Sequence, residues 1–563
     1  MRPEPPMHRV WTGIGLALVC AVSVRPYLWV LTVWPVSRDA TVWISRGAPS
    51  FSDWRDWVFL TDHFNVGYRP LTALSYTADY LIGGFAVWPY RLTDVGLHLL
   101  SAMLVYFTYR RLAPKLPGWG GVLAAALFAA HPVVDQVLPQ LARRSYSLAT
   151  ALGLGALLIL CPRSTPAGEG QPRTWARSLL GGALLTGAML SHEAATMTLP
   201  IVLLVVLHRS VGRPDRWRHV VASCAIPVLL AVGALSIRAR VVGGVGGYAA
   251  PAARAERVVP IALATWHTLD AAAPLNEDSA RGFPPIVSVG SLLVGLYYLW
   301  RGTAGLFRDW RDEESRLLGI LLVWVLELVV LYALLGVWFP RQVYLALAPF
   351  ALLVAVLFAS TISGCTGKRW APLAHLVPQL LLIGWVLIHS PVVSGADPLR
   401  AASWRETDAM LKGLHRSLSE LTVPASVGLI LPHYERPRAR AFRASDRRGR
   451  PPMAARQAEL WMRTLLGDRD LTIRTLLIFR RQPLEPGSRP EYRRIDGRPV
   501  VLLDADLVYY PLSPEVRVEK QGGGTAAWLA ASDTPGANEH VYFHDGERGR
   551  LTPPPGAPTE DPS

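Results

Sequence analysis

The sequence predicts a polytopic α-helical membrane protein of about eleven transmembrane helices, closed by a small extracytoplasmic α/β domain. Three observations lead there. Of 563 residues 51% are hydrophobic and only 18% charged, and the charge is cleared from one apolar run of bilayer length after another, as the cost of burying charge in hydrocarbon requires. Short Arg-rich connectors separate those runs. Beyond residue 392 the pattern changes to short β-rich runs separated by polar segments.

Windows of about 19 residues place spans at Val10 to Trp34, Thr93 to Leu112, Trp119 to Leu138, Tyr146 to Cys161, Ser178 to Ser191 and Thr196 to Leu207. Further spans are expected at Val220 to Ile237, Pro285 to Trp300, Leu317 to Trp338, Val343 to Ser363 and Ala371 to His389. The first should stay uncleaved, because Val19 and Val24 are poor positions for a signal-peptide cut. Cys20, Cys161, Cys224 and Cys365 lie within or at the ends of spans, which suits small apolar core residues and provides neither a disulfide nor a zinc framework.

Orientation follows from the short connectors. Those carrying Arg110, Arg111 and Lys115, then Arg163, Arg173 and Arg177, then Arg209, Arg213, Arg216 and Arg218 fall on one side, which the positive-inside bias makes cytoplasmic. Arg301, Arg308, Arg311 and Arg316, and then Lys368 and Arg369, continue the alternation, and the turn from Ser191 to Ala195 has no Lys or Arg. An odd number of spans puts the tail outside, together with two long outer loops at residues 37–91 and 238–284. The net charge of +15 therefore belongs to anionic headgroups and not to nucleic acid. A multi-pass protein of a bacterial inner membrane is expected.

The transmembrane domain should occupy residues 1–392, the soluble domain 393–548 and a Pro-rich disordered tail 549–563. In the soluble part Leu399 to Leu421 reads as an amphipathic helix and Met453 to Leu466, closed by Gly467, as another. Ala425 to Leu431, Leu471 to Phe479 and Val500 to Tyr510 read as β-rich runs. No repeat is visible.

Candidate chemistry gathers on the outer side. The first outer loop opens Ser37-Arg38-Asp39-Ala40 and carries Asp53, Asp56, Asp62 and His63 before Tyr68-Arg69-Pro70-Leu71. An Asp just past a span, ionised by a neighbouring Arg, suits a general base that takes a proton from an acceptor hydroxyl, and Asp39 is the candidate; an interfacial Asp-Arg pair that only fixes the loop is the alternative. Polar groups recur at the outer ends of spans: His98 after Asp94, His131-Pro132 with Asp135, Arg143-Arg144, His192-Glu193, and Arg341 with Tyr344. In a bundle these would line one cavity, with Arg69, Arg143, Arg144 and Arg341 holding a lipid-linked phosphate as it leaves. Asp62, His63, His98, His131, His192, Glu193 and Tyr344 would support the pocket. Taken singly, each Arg could instead snorkel to headgroups and each His pack in a core. No metal or other cofactor is expected; only the loose Asp53, Asp56, Asp62 and His63 group leaves a divalent ion open. Gly243 to Gly247 lacks the context of a phosphate loop.

These residues carry a resemblance. The run Tyr68 to Tyr76 (YRPLTALSY), then Pro89 and His98, His131-Pro132, Arg143-Arg144-Ser145, and Ser191-His192-Glu193 to Pro200 resemble the GT-C membrane glycosyltransferases. More narrowly they are similar to the tetratricopeptide-containing O-mannosyltransferases and their bacterial relatives. The resemblance covers about Val10 to Pro200 well and Pro285 to Ile362 weakly. It implies a GT-C-like fold and transfer of a sugar from a polyprenyl-phosphate-linked donor to an envelope glycan, lipid or protein acceptor on the outer face, within membrane lipid. It also implies an acidic residue of the first outer loop near the reaction centre, where Asp39 matches the second acid of the family's usual pair. The chain departs from the pattern at Arg38 in place of the first acid, at His192 in place of the Lys of a Lys-Glu turn, at Asp135 where Glu is commoner, and in its lack of tetratricopeptide repeats. A transporter or flippase of a lipid-linked or anionic substrate is a rival reading, although its polar groups belong at mid-bilayer. A non-catalytic membrane scaffold is another.

Overall fold

A computed structural model describes residues 6–33, 68–161, 174–211, 215–242, 312–334 and 340–365, single residues between 43 and 412, and nine strands between Ser426 and Thr552. The chain divides into two compact units, residues 1–32 with 47–398, and residues 33–46 with 399–563.

The first unit is helical. Its helices are α1 (Pro6–Val24), α2 (Pro70–Gly83), α3 (Val87–Leu112), α4 (Trp119–Ala129), α5 (Arg144–Leu160), α6 (Thr174–Ser191), α7 (Thr198–Arg209), α8 (Arg216–Val242), α9 (Glu313–Leu334) and α10 (Val343–Cys365). Among the described residues four stretches are long and apolar enough to cross a membrane: Val10–Thr32, Val87–Leu112, Arg216–Val242 and Val343–Ser363. The chain is a membrane protein. Two of the eleven expected spans, residues 285–300 and 371–389, lie wholly or mostly outside the described residues.

The expected span Trp119 to Leu138 is interrupted: α4 stops at Ala129, about 16 Å from its start and by itself short of a bilayer crossing. Pro132 is the reason, since the residue before a proline is pushed out of the helical region and the proline itself has no N–H to donate. The chain then passes through one helical turn at Val134–Val137 and a 3-10 turn at Leu141–Arg143 before α5 begins.

Small residues set how closely the helices approach, as in other membrane bundles. A Cβ at Gly120 would lie 2.1 Å from the hydroxyl of Tyr109 on α3, and one at Gly182 of α6 would lie 3.0 Å from the Pro227 Cα on α8. The α2 to α3 turn needs glycine outright, because Gly84 has φ +57°. The core runs through α3, α4, α5, α7, α9 and α10. By contrast Trp11, Trp175 and Trp217, near the starts of α1, α6 and α8, are each about two-thirds exposed, as an interfacial aromatic belt would be. At that same end Glu313 joins Lys115 at 2.7 Å and Arg209 at 3.1 Å, tying α9 to α7 and to the end of α3. Those two cations hold the Glu313 carboxyl below its usual range, although burial opposes them.

In the second unit the strands are β1 (Ser426–His433), β2 (Thr472–Arg480), β3 (Glu491–Ile495), β4 (Arg498–Leu503), β5 (Leu507–Pro511), β6 (Arg517–Gln521), β7 (Gly524–Trp528), β8 (Glu539–Asp545) and β9 (Arg550–Thr552). They form a five-stranded sheet in the order β5-β2-β1-β8-β9 and a four-stranded sheet in the order β3-β4-β7-β6. The central strand β1 is parallel to both β2 and β8, with Ser426 opposite Thr472 and Glu539, and the four-stranded sheet is antiparallel throughout. The run Val500 to Tyr510 is two strands rather than one. The expected helices at 399–421 and 453–466 lie outside the described residues.

Candidate functional site

The site is built at the end of the helical unit that holds the starts of α2, α3, α5, α7 and α10. Two clusters of buried charge occupy it.

The first centres on Arg144, the opening residue of α5, whose side chain is 0% exposed. Its Nε donates to Asp94 Oδ1 at 2.6 Å, one terminal nitrogen to Asp79 at 2.5 Å and Ser75 Oγ at 3.3 Å, and the other to the Tyr90 carbonyl at 2.6 Å. The guanidinium also lies over the Tyr76 ring, 4.2 Å from its centre. Asp79 in turn accepts from Thr93 at 2.6 Å. Arg91, fully buried, donates to the Pro139 carbonyl, and the Tyr76 hydroxyl donates to the Leu141 carbonyl. Two arginines therefore face two aspartates, and side-chain donors satisfy the carbonyls that the broken segment after α4 leaves open. Arg144, a candidate for holding a phosphate, is placed with its guanidinium on Asp79, Asp94 and the Tyr90 carbonyl, where it joins α2, α3 and α5.

The second cluster centres on Glu193, in the 3-10 turn Glu193–Met197 between α6 and α7. Arg69, just before α2, grips it with two parallel bonds, Nε to Oε2 at 3.0 Å and Nη2 to Oε1 at 2.7 Å, and reaches Ser145 Oγ at 3.3 Å. Such a fork is strong and fixes orientation. Proline at the first position of α2 sets the start of that helix directly after Arg69. Arg238 of α8, buried, donates to the Tyr68 carbonyl at 3.0 Å, so it stands one residue from Arg69. Burial opposes ionisation of Glu193, but the Arg69 guanidinium, with His192 and Arg238, holds its carboxyl well below the usual range. His192 is pushed down to about 3 by burial and by Arg69, Arg238 and Arg341, against the pull of Glu193; its ring is neutral at physiological pH. Two guanidinium groups, those of Arg69 and Arg238, thus bear on this one carboxylate.

The remaining predicted residues separate. His98 and Tyr344 join each other, Nδ1 to hydroxyl at 2.9 Å, with His98 stacked on Phe128 at 5.5 Å; they pack α3 against α10. His131 accepts from the Val133 N–H at 3.2 Å and so shapes the turn after α4. Arg143 donates to the Gln136 carbonyl at 2.6 Å. Arg341 lies in the turn Pro340–Gln342 before α10. Asp39, Asp62 and His63 lie outside the described residues. Sequence reasoning gave no role to Arg238 or Arg91, which read as residues at the margins of loops; an Arg at the last turn of an apolar helix was the available signal. Among the described residues no group of three His, Cys, Asp or Glu could hold a metal ion.

No family model matches the chain. The protein O-mannosyl-transferase Tmtc2 of Drosophila melanogaster is 32% identical over 183 residues, which are 31% of this chain and 19% of that protein. Tmtc1 of the same organism is 33% identical over 149 residues, 26% of this chain and 16% of that one. TMTC2 of Mus musculus is 30% identical over 134 residues, 24% and 16%. The chain thus spans no more than 19% of the length of these curated relatives. Among solved structures, ArnT from Cupriavidus metallidurans bound to undecaprenyl phosphate aligns over 93% of this chain and 98% of its own, with 12% identity and a TM-score of 0.46. The apo oligosaccharyltransferase of Archaeoglobus fulgidus aligns over 82% and 64%, with 13% identity and a TM-score of 0.41. In sequence, the chain resembles the O-mannosyltransferases of the GT-C superfamily of membrane glycosyltransferases.

Proposed function

We propose that this protein is a glycosyltransferase that moves a sugar from a polyprenyl-phosphate-linked donor to a glycan, lipid or protein acceptor on the outer face of a bacterial inner membrane. One observation carries the reading: three arginines gather at the His192-Glu193 turn, where Arg69 and Arg238 bear on the buried Glu193 carboxylate and Arg69, Arg238 and Arg341 all lower the basicity of His192. Guanidinium groups gathered where water is scarce offer a phosphate strong charge-assisted hydrogen bonds. A phosphate that gains charge as the sugar leaves is stabilised more at the transition state than before it, which is how such a site speeds transfer.

In this reading Arg341 and Arg238 take the phosphate together with Arg69, whose fork to Glu193 holds it in place, and Asp39 takes the proton of the acceptor hydroxyl. No cofactor enters the proposal. The test is transfer from a labelled polyprenyl-phosphate sugar by the purified full chain. Asp39→Asn should lower the rate by ~10² or more, the contribution of a general base, with unchanged melting in detergent. Full activity in that variant would remove Asp39 from the mechanism. Identical envelope glycans and glycoproteins in wild-type and deletion strains would sink the enzyme reading as a whole.

A further inference from the structure

His192 stands where the resembling family has a lysine, and its two ring nitrogens are in different situations. Nδ1 lies 3.2 Å from the backbone N–H of Ala194, which can only donate, so Nδ1 accepts and caps the 3-10 turn Glu193–Met197. A neutral imidazole has one acceptor nitrogen and one N–H. With Nδ1 spent as acceptor, the proton sits on Nε2. Among the described residues the polar group at Nε2 is Arg69 Nη2, 3.4 Å away, and a guanidinium never accepts. The contact is therefore two N–H groups side by side. The ring is 1% exposed and packs on Tyr146, centres 4.3 Å apart, so bulk water does not serve Nε2–H, and a buried donor without an acceptor is costly to maintain. The low basicity of the ring agrees with this tautomer, because a proton on both nitrogens would leave nothing to accept from Ala194.

We infer that His192 Nε2–H is a specificity-determining hydrogen-bond donor, paired with Arg69 Nη2 to grip one oxygen of an anionic ligand beside Glu193. Resting on the function proposed above, that oxygen belongs to the donor's phosphate. A lysine here would bring a further positive charge beside the Arg69 guanidinium. The buried imidazole brings a directional donor without charge, fixed by the same backbone that holds Glu193 in the Arg69 fork.

The two nitrogens can be separated by substitution. Asparagine reproduces the Nδ1 cap and cannot reach the Nε2 position, whereas glutamine reaches the Nε2 position with an amide N–H and gives up the cap. The experiment measures binding of a long-chain polyprenyl monophosphate to the detergent-purified full chain, by titration of the ligand-induced change in melting temperature. H192N should keep the unliganded melting temperature of the wild type and bind ~10-fold more weakly, as loss of a hydrogen bond to a charged group requires. H192Q should melt lower and bind within about threefold of wild type, because its donor survives. Equal binding by H192N and wild type, or weak binding only in H192Q, overturns the donor assignment and leaves His192 a cap. Absence of binding by the wild-type chain itself overturns the lipid-phosphate reading beneath it, so the two failures are distinguishable. If H192N melts early, H192S keeps a capping oxygen and makes the same comparison.

Discussion

At the residue scale, the two arginine clusters differ in what their guanidinium groups hold among the described residues: two aspartates at Arg144 and one glutamate at Arg69. Arg144 has Asp79 and Asp94 within 2.6 Å and no exposure, so its removal strands two buried carboxylates. Breaking a buried pair by deleting one partner costs about 3–5 kcal/mol, mostly the penalty of the charges left behind. Arg144→Leu should therefore fail to accumulate or melt far below wild type in detergent, and adding Asp79→Asn and Asp94→Asn should restore part of the loss by removing the stranded charge. An Arg144→Leu chain that melts like wild type would show that the cluster is not structural. The sequence made Arg144 legible as an important residue but not as this one. Its partners lie 65 and 50 residues away, and nothing in the local pattern tells an arginine aimed at a ligand from one aimed at two distant aspartates. Arg69 and Glu193, 124 residues apart, were placed in one pocket by their common membrane level, yet the fork between them was not readable. His192 was visible as a departure from a motif; the direction of its N–H needed coordinates.

At the element scale, the site depends on helices that come close enough for short side chains to meet. The α3 to α4 contact is the tightest described: a Cβ at Gly120 would sit 2.1 Å from the Tyr109 hydroxyl and 2.5 Å from its ring carbon, and Tyr109 is itself fully buried. A buried tyrosine has nowhere to withdraw, so Gly120→Ala must push α4 outward or force Tyr109 off its rotamer, at a cost of about 1–3 kcal/mol. The measurement is the melting temperature of G120A in detergent, with G13A, whose added Cβ meets nothing within 4 Å, as the control. Equal melting of the two would mean that the helices do not approach as described. Elements of this kind were legible where apolar runs are long and uninterrupted, as in α3, α8 and α10. They are less legible where Pro132 cuts a run short, because a hydropathy window averages over a break that backbone stereochemistry imposes. In the second unit β1, β2 and β4 fall where β-rich runs occur, while β6 (RVEKQ) and β7 (GTAAW) carry little hydrophobic alternation and take their place from strand pairing, which is non-local.

At the scale of the whole molecule, the orientation of the chain follows from charge and aromatic placement taken together. The connectors dense in arginine precede α4, α6, α8 and α9, and exposed Trp175 and Trp217 stand at the starts of α6 and α8, with exposed Trp11 near the start of α1. Indole rings prefer the headgroup level and arginine the cytoplasmic leaflet, so these helix starts share one face of the membrane. The Arg69–Glu193 and Arg144 clusters sit at the opposite helix ends, and a donor phosphate held there would meet an acceptor outside the cell. This makes a prediction that involves no substrate. Alkaline phosphatase, active only after export, should be active when fused after His192 in the α6 to α7 turn or after Ser563, and inactive when fused after Lys115 or after Arg213; green fluorescent protein at the same four positions should give the inverse pattern. An active phosphatase after Lys115 would reverse the orientation and move the arginine clusters to the cytoplasmic side, where a polyprenyl-linked donor could serve only a cytoplasmic acceptor. Activity after His192 combined with inactivity after Ser563 would leave the clusters outside but make the number of spans even.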